Sequence, residues 1–567
     1  MNVQTRQEYD AIVVGSGVAG GWAAKELTEK GLNTLLLERG RMVEHQADYV
    51  TENKAPWELY FRGRGDREEF ERDYPVQRKG GGFGEATSHF YVNDRENPYT
   101  YPEDNPFMWI RGHQVGGRSL IWGRQCYRWS RLDFEANARD GFGVDWPIRY
   151  ENVAPWYDYV EPFVGISGQA EGLPQLPDGR FQPPMEMNCG ERLFKERMEG
   201  AFPGRRMTVG RVANLTQGIN GRSACQYRNQ CSRGCSYGAY FSSQSATLPA
   251  AFATGNLTLQ PNSIVHSVLY DNRNDRATGV RVIDAETMEE REYYGRIVFL
   301  CASALGSTRI MLNSTSPRFP NGIANSSGAL GHYLMDHCFQ AGASGELPGN
   351  KNEYFYGRRP NGIYIPRFRN LGDRATEHPD FLRGYGYQGS ASRAGWGRGA
   401  GVPGVGSGLK ETLREPGPWS MWIGGWGECL PREENYVELD TNVTDAWGMP
   451  VLRIHCKWSD NEDRMREDMA LSAAEMLEAV GARNIQPFIE ESPPGLCIHE
   501  MGTARMGRDP DTSVLNAHNQ AHDVSNLFVT DGACMTSSAC QNPSITYMAL
   551  TARACDYAVR EMQRGNL

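Results

Sequence analysis

The sequence predicts an α/β, Rossmann-like dinucleotide-binding domain joined to a second, α+β domain that is built on an antiparallel sheet. Three observations support this prediction. Residues 9–38 show a strand, a glycine turn, a helix and a second strand, residues 346–490 contain strands with alternating apolar and polar positions, and α/β character returns in 491–567. We therefore predict a first domain over 1–345 and 491–567, with the second domain over 346–490 between its two parts.

The opening segment contains the residues that a bound dinucleotide requires. Gly15 permits a sharp turn, Gly17 lets the backbone approach a pyrophosphate, and Gly20 lets the helix pack against the strand. The following helix offers free N–H groups and the positive end of its dipole to the phosphates. Glu38 ends the second strand, where a carboxylate accepts a ribose hydroxyl. A glycine turn in an ordinary α/β unit is the alternative interpretation.

Composition excludes several classes of protein. The chain has 567 residues, 40% of them hydrophobic, and a formal net charge of −10, so we do not expect it to bind nucleic acid. No apolar run has the length of a transmembrane helix, and residues 1–8 lack the apolar core of a signal peptide. Export would therefore require a partner that carries the signal. The thirteen cysteines are mostly isolated and do not form a disulfide framework.

Three later places in the chain are candidates for contact with the same dinucleotide. They are the glycine turn of Gly116, Gly117 and Ser119, the predicted strand that contains Val265, and the strand end at Asp531 and Gly532. A glycine pair inside an apolar stretch indicates a close approach of the backbone to a flat ligand. The polar stretch 39–105 has little predicted regular structure, and we expect either a binding segment or a surface insertion.

The second domain contributes aromatic residues. Trp419, Trp422 and Trp426 occur within a short span of a predicted antiparallel sheet, and predicted strands follow at 437–439 and 451–454. We expect aromatic side chains to face a ligand, with plain core packing as the alternative for each one.

A cysteine cluster lies in the polar loop near 222–240. Five residues separate Cys225 from Cys231, and three separate Cys231 from Cys235. Three close thiolates in a polar loop favour a metal ion or a cluster over simple burial. A zinc ion would require a fourth ligand, for which Cys189 is distant, and unrelated free cysteines remain the alternative.

Two residues near the C-terminus are candidates for acid–base chemistry. His499 precedes a Gly-Thr turn and has a side chain suited to general base catalysis at neutral pH, although a structural histidine would look the same. Asn542 precedes Pro543, which keeps its backbone out of helical geometry and allows its amide to point into a site. A plain helix cap is the alternative for Asn542.

Taken together, these motifs resemble the glucose–methanol–choline (GMC) family of flavin oxidoreductases along nearly the whole chain. The resemblance depends on the two glycine turns with Glu38, the segment His499 to Thr503, Asp531-Gly532 and Asn542-Pro543, which occur in the family's order. It implies the GMC fold, FAD rather than NAD as the cofactor, and a catalytic pair of His499 and Asn542 at the flavin N5 edge. Leu120-Ile121-Trp122 offers no nucleophile after the second turn, so we expect the FAD to be non-covalent.

The cysteine spacing resembles one branch of this family, the bacterial sugar dehydrogenases that carry a three-iron, four-sulfur (3Fe-4S) cluster. The resemblance implies that Cys225, Cys231 and Cys235 are the cluster ligands. It also implies a small helper subunit that carries the export signal, often a cytochrome c acceptor, and a periplasmic location, with the cytoplasm as the alternative. Residues 20–27 resemble glucoside 3-dehydrogenases.

The substrate implied by the resemblance is a sugar or glucoside. Oxidation of a pyranose secondary alcohol at C3 is the first expectation, and oxidation of glucose at C1 or of another sugar or polyol is the second. Three rival functions stay open at this point: an oxygen-using FAD oxidase, a non-catalytic flavin or electron-relay subunit, and an NAD-dependent dehydrogenase.

Overall fold

The computed structural model describes residues 8–354, 357 and 359–567. The prediction made for the start of the chain falls on residues 1–7, which lie outside the described part. Strands within the described ranges are β1 (Glu8–Val14), β2 (Thr34–Leu37), β3 (Thr208–Val209), β4 (Leu257–Gln260), β5 (Ser263–Asp271), β6 (Arg276–Asp284), β7 (Glu290–Leu300), β8 (Ala341–Leu347), β9 (Ile363–Ile365), β10 (Tyr385–Arg393), β11 (Trp419–Gly427), β12 (Tyr436–Thr444), β13 (Pro450–His455), β14 (Arg483–Ile489) and β15 (Leu527–Val529).

The α-helices of the same residues are α1 (Val18–Glu29), α2 (Arg67–Asp73), α3 (Arg131–Phe134), α4 (Ala136–Asp140), α5 (Tyr150–Val164), α6 (Cys189–Ala201), α7 (Leu248–Ala253), α8 (Ala304–Asn313), α9 (Gly406–Arg414), α10 (Asp460–Ala479) and α11 (Ser544–Gln563). None of these described helices combines the length and the hydropathy that a membrane span needs. The elements form two main sheets, an α/β sheet and an antiparallel one, as the sequence predicts.

The first sheet has seven strands in the order β4-β2-β1-β7-β6-β5, and β15 also pairs with β7. Strands β4, β2, β1, β7 and β15 are parallel, whereas β6 and β5 are antiparallel. Val14 pairs with both Leu37 and Leu300, so β1, β2 and β7 end at the same edge of the sheet. The glycine turn and Glu38 follow directly at this edge, which is where open α/β sheets bind ligands.

Helices α1 and α11 cover one face of this sheet. Ala23 and Leu27 of α1 and Ala558 of α11 are fully buried in one cluster with Val13 and Phe299 of the sheet. Small residues on both helices let them pack closely, and their burial stabilises the junction between the first and last helices of the chain.

The second sheet is antiparallel and has six strands in the order β14-β8-β11-β10-β9-β3. Successive residues of a strand point to opposite faces. Tyr385 and Tyr387 of β10 are buried against Met469 of α10, and the alternate residue Gln388 faces the other way. The sheet therefore has one core face and one face that is turned toward the cavity described below.

Strands β12 and β13 correct one expectation. The sequence places 437–439 and 451–454 in the antiparallel sheet, but these strands form a separate two-stranded sheet. Their apolar residues Val437 and Leu452 are buried against Leu305 of α8 and Trp109. The hairpin therefore packs on the dinucleotide-binding domain, because its apolar face fits that surface.

Candidate active site

One cavity of about 710 Å³ extends from the glycine turn to the antiparallel sheet. Its lining contains most of the residues that the sequence analysis nominated for the cofactor or for catalysis, namely Gly15, Gly17, Glu38, Gly117, Ser119, Val265, His499, Asp531, Gly532 and Asn542. Gly20 and Gly116 lie behind this lining. Residues of the stretch 39–105, among them Lys79, Gly82 and Tyr91, also line the cavity, so this stretch forms part of the cavity wall.

The turn between β1 and α1 fits the diphosphate of a dinucleotide. Gly17 is the N-cap of α1 without a side-chain cap, and a Cβ built on it would meet no atom within 4 Å. The first N–H groups of α1 therefore face open space, where the helix dipole favours an anion. Gly15 has a φ of 92°, and a Cβ on Gly20 would lie 1.7 Å from the Gly15 carbonyl oxygen, so the turn itself requires both glycines.

Glu38 connects the two glycine turns. Its Oε2 accepts hydrogen bonds from the N–H and the hydroxyl of Ser16 at 3.0 and 2.5 Å, and its Oε1 accepts one from the Gly40 N–H at 3.0 Å. The Ser16 hydroxyl accepts the Gly116 N–H at 2.8 Å, which fixes the second turn to the first. Burial raises the pKa of Glu38. Oε1 has room for one more donor, so the carboxylate fits the predicted ribose contact.

Several other charged side chains of the wall have hydrogen-bond or ion-pair partners. Asp531 accepts hydrogen bonds from the Ser307 hydroxyl at 2.5 Å and from the Ala533 N–H at 2.9 Å, and burial raises its pKa to about 6. Arg118 donates two hydrogen bonds to the Glu500 carboxylate, at 3.0 and 2.7 Å. Such pairing offsets the desolvation of groups that line a cavity.

Asp336 holds the loop that carries His499. Its carboxylate accepts the backbone N–H groups of Gly495 at 2.8 Å, Cys497 at 3.2 Å and His499 at 3.0 Å. Burial and the nearby Glu500 raise the pKa of Asp336 to about 7. Three donors on one carboxylate fix the backbone of this loop, so the position of the His499 ring follows from Asp336.

His337, which the sequence analysis missed, sets the tautomer of His499. The Nδ1 atoms of the two rings lie 2.9 Å apart, and Nε2 of His337 lies 3.1 Å from the Ser538 carbonyl oxygen. Burial lowers the pKa of His337 to about 4 and that of His499 well below its usual value, so both rings are neutral at pH 7. A carbonyl only accepts, so the His337 proton is on Nε2. Its bare Nδ1 then accepts the Nδ1–H of His499, and Nε2 of His499 keeps its lone pair.

Asn542 faces that lone pair. Its Nδ2 lies 3.4 Å from His499 Nε2, and its Oδ1 accepts a hydrogen bond from Gln388 Nε2 at 2.9 Å. Gln388 therefore turns the donor end of the Asn542 amide toward the histidine. A hydrogen-bond donor and a proton acceptor converge on one point of the cavity, which is the arrangement that an alcohol oxygen needs.

The wall opposite the glycine turn has neutral polar and aromatic side chains. It contains Gln125, Phe339, Gln340, Asn361, Gln388 and Trp426. Gln125 Nε2 donates to Gln388 Oε1 at 2.8 Å, so the amides form a connected network. Of the three predicted tryptophans, only Trp426 lines this cavity, since Trp419 is buried in the core of the second sheet and Trp422 is 42% exposed.

The three predicted cysteine ligands lie together in a separate pocket. Cys225, Cys231 and Cys235 line a small cavity of about 20 Å³, and burial raises the pKa of Cys225 while the Arg124 guanidinium acts to lower it. Cys189 is not among the residues around this cavity.

The distances between these three sulfur atoms can be compared with those that a single metal ion or a cluster requires. In the described ranges, the only set of three ligand atoms within 4.8 Å of one another is that of His337, Cys497 and His499, so at least one pair of the three loop sulfurs lies farther apart than that. Cysteines that share one zinc ion hold their sulfurs about 3.8 Å apart, given a Zn–S bond of about 2.3 Å. A group with several irons, in which each cysteine binds a different iron, fits a wider spacing.

Comparison with known proteins agrees with this geometry. Models of the family described as GMC oxidoreductase match residues 9–339 and 431–551. The chain is 29% identical to 2-methyl-1,2-propanediol dehydrogenase of Mycolicibacterium austroafricanum over 98% of this chain and 95% of that protein. It is 25% identical to the fructose dehydrogenase large subunit of Gluconobacter japonicus over 98% of each chain.

Solved structures show the same fold. A formate oxidase structure from Aspergillus oryzae superposes with a TM-score of 0.62 at 13% identity, over 99% of both chains. The family match covers the glycine turns as well as His499 and Asn542, and it confirms the resemblance carried by those motifs. The chain therefore belongs to the GMC oxidoreductase family and is an FAD-dependent oxidoreductase that acts on CH–OH groups.

Proposed function

We propose that this protein is a sugar or glucoside dehydrogenase that oxidises a pyranose secondary alcohol, C3 being the first choice, to a ketone. The observation that supports it best is the convergence of the His499 Nε2 lone pair and the Asn542 amide beside a wall of neutral amides and aromatic rings. FAD bound non-covalently along the glycine turns would accept the hydride.

The residues of the chain supply the other parts of the reaction. Nε2 of His499 takes the hydroxyl proton of the substrate, because this nitrogen carries no proton and the ring is neutral at pH 7. The Asn542 amide donates a hydrogen bond to the same oxygen and orients the carbon that loses its hydrogen. The proton then resides on an imidazolium whose Nδ1–H still donates to His337.

The substrate class follows from the amide wall and from the relatives. Gln125, Asn361 and Gln388 offer both donors and acceptors without a charge, which suits several adjacent hydroxyl groups. Trp426 adds an aromatic surface for the C–H face of a sugar ring. The relative from Gluconobacter japonicus is named for the oxidation of fructose, and a neutral sugar agrees with this lining.

In this proposal, Cys225, Cys231 and Cys235 would hold a 3Fe-4S cluster. The support is the pocket that these three cysteines share. Such a group supplies one-electron transfer between the cavity and an outside acceptor. We further propose a cytochrome c acceptor and a small helper subunit whose export signal takes the complex to the periplasm.

A small diol is the second candidate substrate, because the relative from Mycolicibacterium austroafricanum oxidises a methylpropanediol and covers the whole cavity region. The test is product analysis by NMR after the holoenzyme is incubated with methyl glucosides, glucose, fructose and 1,2-propanediol, with ferricyanide as acceptor. A C3 ketone from the glucosides supports the proposal, and turnover of the diol alone would overturn it.

Iron analysis and peroxide assays of the same samples address the electron route. About three irons per chain with ferricyanide-dependent turnover support the cluster. Peroxide formation by an iron-free protein would instead identify an oxidase.

A further inference from the structure

Arg124 is an uncompensated cation at the cavity wall. In the described part of the chain, the cavity arginines Arg111, Arg118 and Arg309 each pair with a carboxylate, but no ion pair is formed by Arg124. Its Nη1 donates to the Trp122 carbonyl at 2.6 Å, and its buried Nε has no hydrogen-bond partner. A half-buried guanidinium with an unpartnered nitrogen and no carboxylate beside it points to a role for its charge.

The position of Arg124 is between the cavity and the cysteine pocket. The side chain lines the cavity, and its guanidinium lies 5.5 Å from the centre of the Tyr240 ring. Tyr240 lines the pocket of the three cysteines, and Pro360 lines both spaces. One residue layer therefore separates the two spaces, and the charge of Arg124 lies in it.

The backbone fixes this placement. The Arg124 carbonyl accepts the Ala213 N–H at 2.8 Å, and the Leu215 carbonyl accepts the Cys225 N–H at 2.8 Å. The anchor points of Arg124 and Cys225 are thus two residues apart on one segment, which spans at most about 7 Å. Arg124 also has a φ of 64°, a left-handed conformation that is unfavourable for a residue other than glycine and that the surroundings must impose.

We propose that Arg124 raises the reduction potential of the redox group held by Cys225, Cys231 and Cys235 and so directs electrons from the cavity to that group. This inference rests on the cluster proposed above. Three thiolates make the site anionic, and one added electron increases its negative charge. A fixed cation with no carboxylate partner stabilises the reduced form more than the oxidised form. Oxidation of one alcohol releases two electrons, which two molecules of a one-electron acceptor such as ferricyanide take up through this group.

The test is a potentiometric titration of the purified holoenzyme, followed by electron paramagnetic resonance of the cluster. For Arg124→Gln we expect the equilibrium constant for one-electron reduction of the cluster to fall at least tenfold. This corresponds to a decrease in its midpoint potential of about 59 mV. Arg124→Lys keeps the charge and is expected to stay near the wild-type midpoint. The rate of flavin bleaching by sugar reports separately on events in the cavity.

Three results would overturn the inference. An unchanged midpoint in Arg124→Gln with a full complement of iron removes the electrostatic role and leaves the proposed function intact. A loss of affinity for a carboxylate substrate such as gluconate, without a change in midpoint, assigns Arg124 to substrate binding. A wild-type protein without iron refutes the cluster and the inference together, so iron is measured first.

Discussion

Replacing His337 with phenylalanine tests the tautomer assigned to His499, the proposed general base. The Nδ1–H of His499 has Nδ1 of His337 at 2.9 Å, and the sulfur of Cys497 at 3.4 Å is a weak substitute. Loss of the acceptor for a buried donor costs about 1–3 kcal/mol. The other tautomer has its proton on Nε2 and cannot accept the substrate proton. The fraction of His499 that has its proton on Nδ1 and can act as a base should therefore fall about 5- to 150-fold, and the rate of flavin reduction should fall with it.

Anaerobic stopped-flow measurement of flavin bleaching by saturating sugar gives this rate directly. His337→Asn is the matched control, because its Oδ1 lies near the position of Nδ1 and still accepts a hydrogen bond, so it should retain most of the rate. The wild-type rate should also fall as the pH drops toward about 4, where His337 gains a proton on Nδ1 and stops accepting. Rates within twofold of wild type in His337→Phe, or equal losses in both variants, would refute the assignment.

Three further predictions concern the cofactor, the cysteines and the His499 loop. Gly17→Val should lose FAD while the protein stays folded, whereas Gly20→Val should fail to fold, because its Cβ would lie 1.7 Å from a backbone oxygen. Flavin absorbance and circular dichroism distinguish the two outcomes. FAD retained in Gly17→Val would contradict the prediction. Cys231→Ser should leave flavin bleaching by sugar intact and abolish ferricyanide turnover, and a normal iron signal in this variant would disprove the ligand assignment. Asp336→Asn replaces one acceptor oxygen by an NH2 group that opposes at least one of the three backbone donors, so kcat should fall at least tenfold with little change in KM. An unchanged kcat in a urea-stable protein would speak against it.

Local sequence patterns predicted the elements that position the cofactor. The apolar run before Gly15 is β1, the helix predicted after the glycine turn is α1, and the strand predicted before Glu38 is β2. These segments have strong periodicity and turn residues, so their structure depends little on the rest of the chain. Strands β12 and β13 were also found, but their place beside α8 depends on shape complementarity between distant segments, which no local pattern records.

The residues around His499 and Asn542 were likewise only partly predictable from local sequence patterns. His499 and Asn542 precede recognisable turns, so the sequence nominates them, but it does not nominate His337 or Gln388. Asp336 and His337 are two neighbours inside a buried run and have no periodic or turn signal. Their importance comes from contacts with residues more than 150 positions later, at the far end of the chain.

These contacts make the proposed proton transfer to His499 depend on both sheets. Ser538, just before α11, fixes His337, which fixes His499, and Gln388 on the antiparallel sheet fixes Asn542. A shift of the second sheet relative to the first would turn the Asn542 amide away without moving His499. The chemical step is therefore sensitive to the packing between the two sheets, and a substitution at Gln388 should lower the rate of hydride transfer while the pH dependence set by the histidine pair stays unchanged.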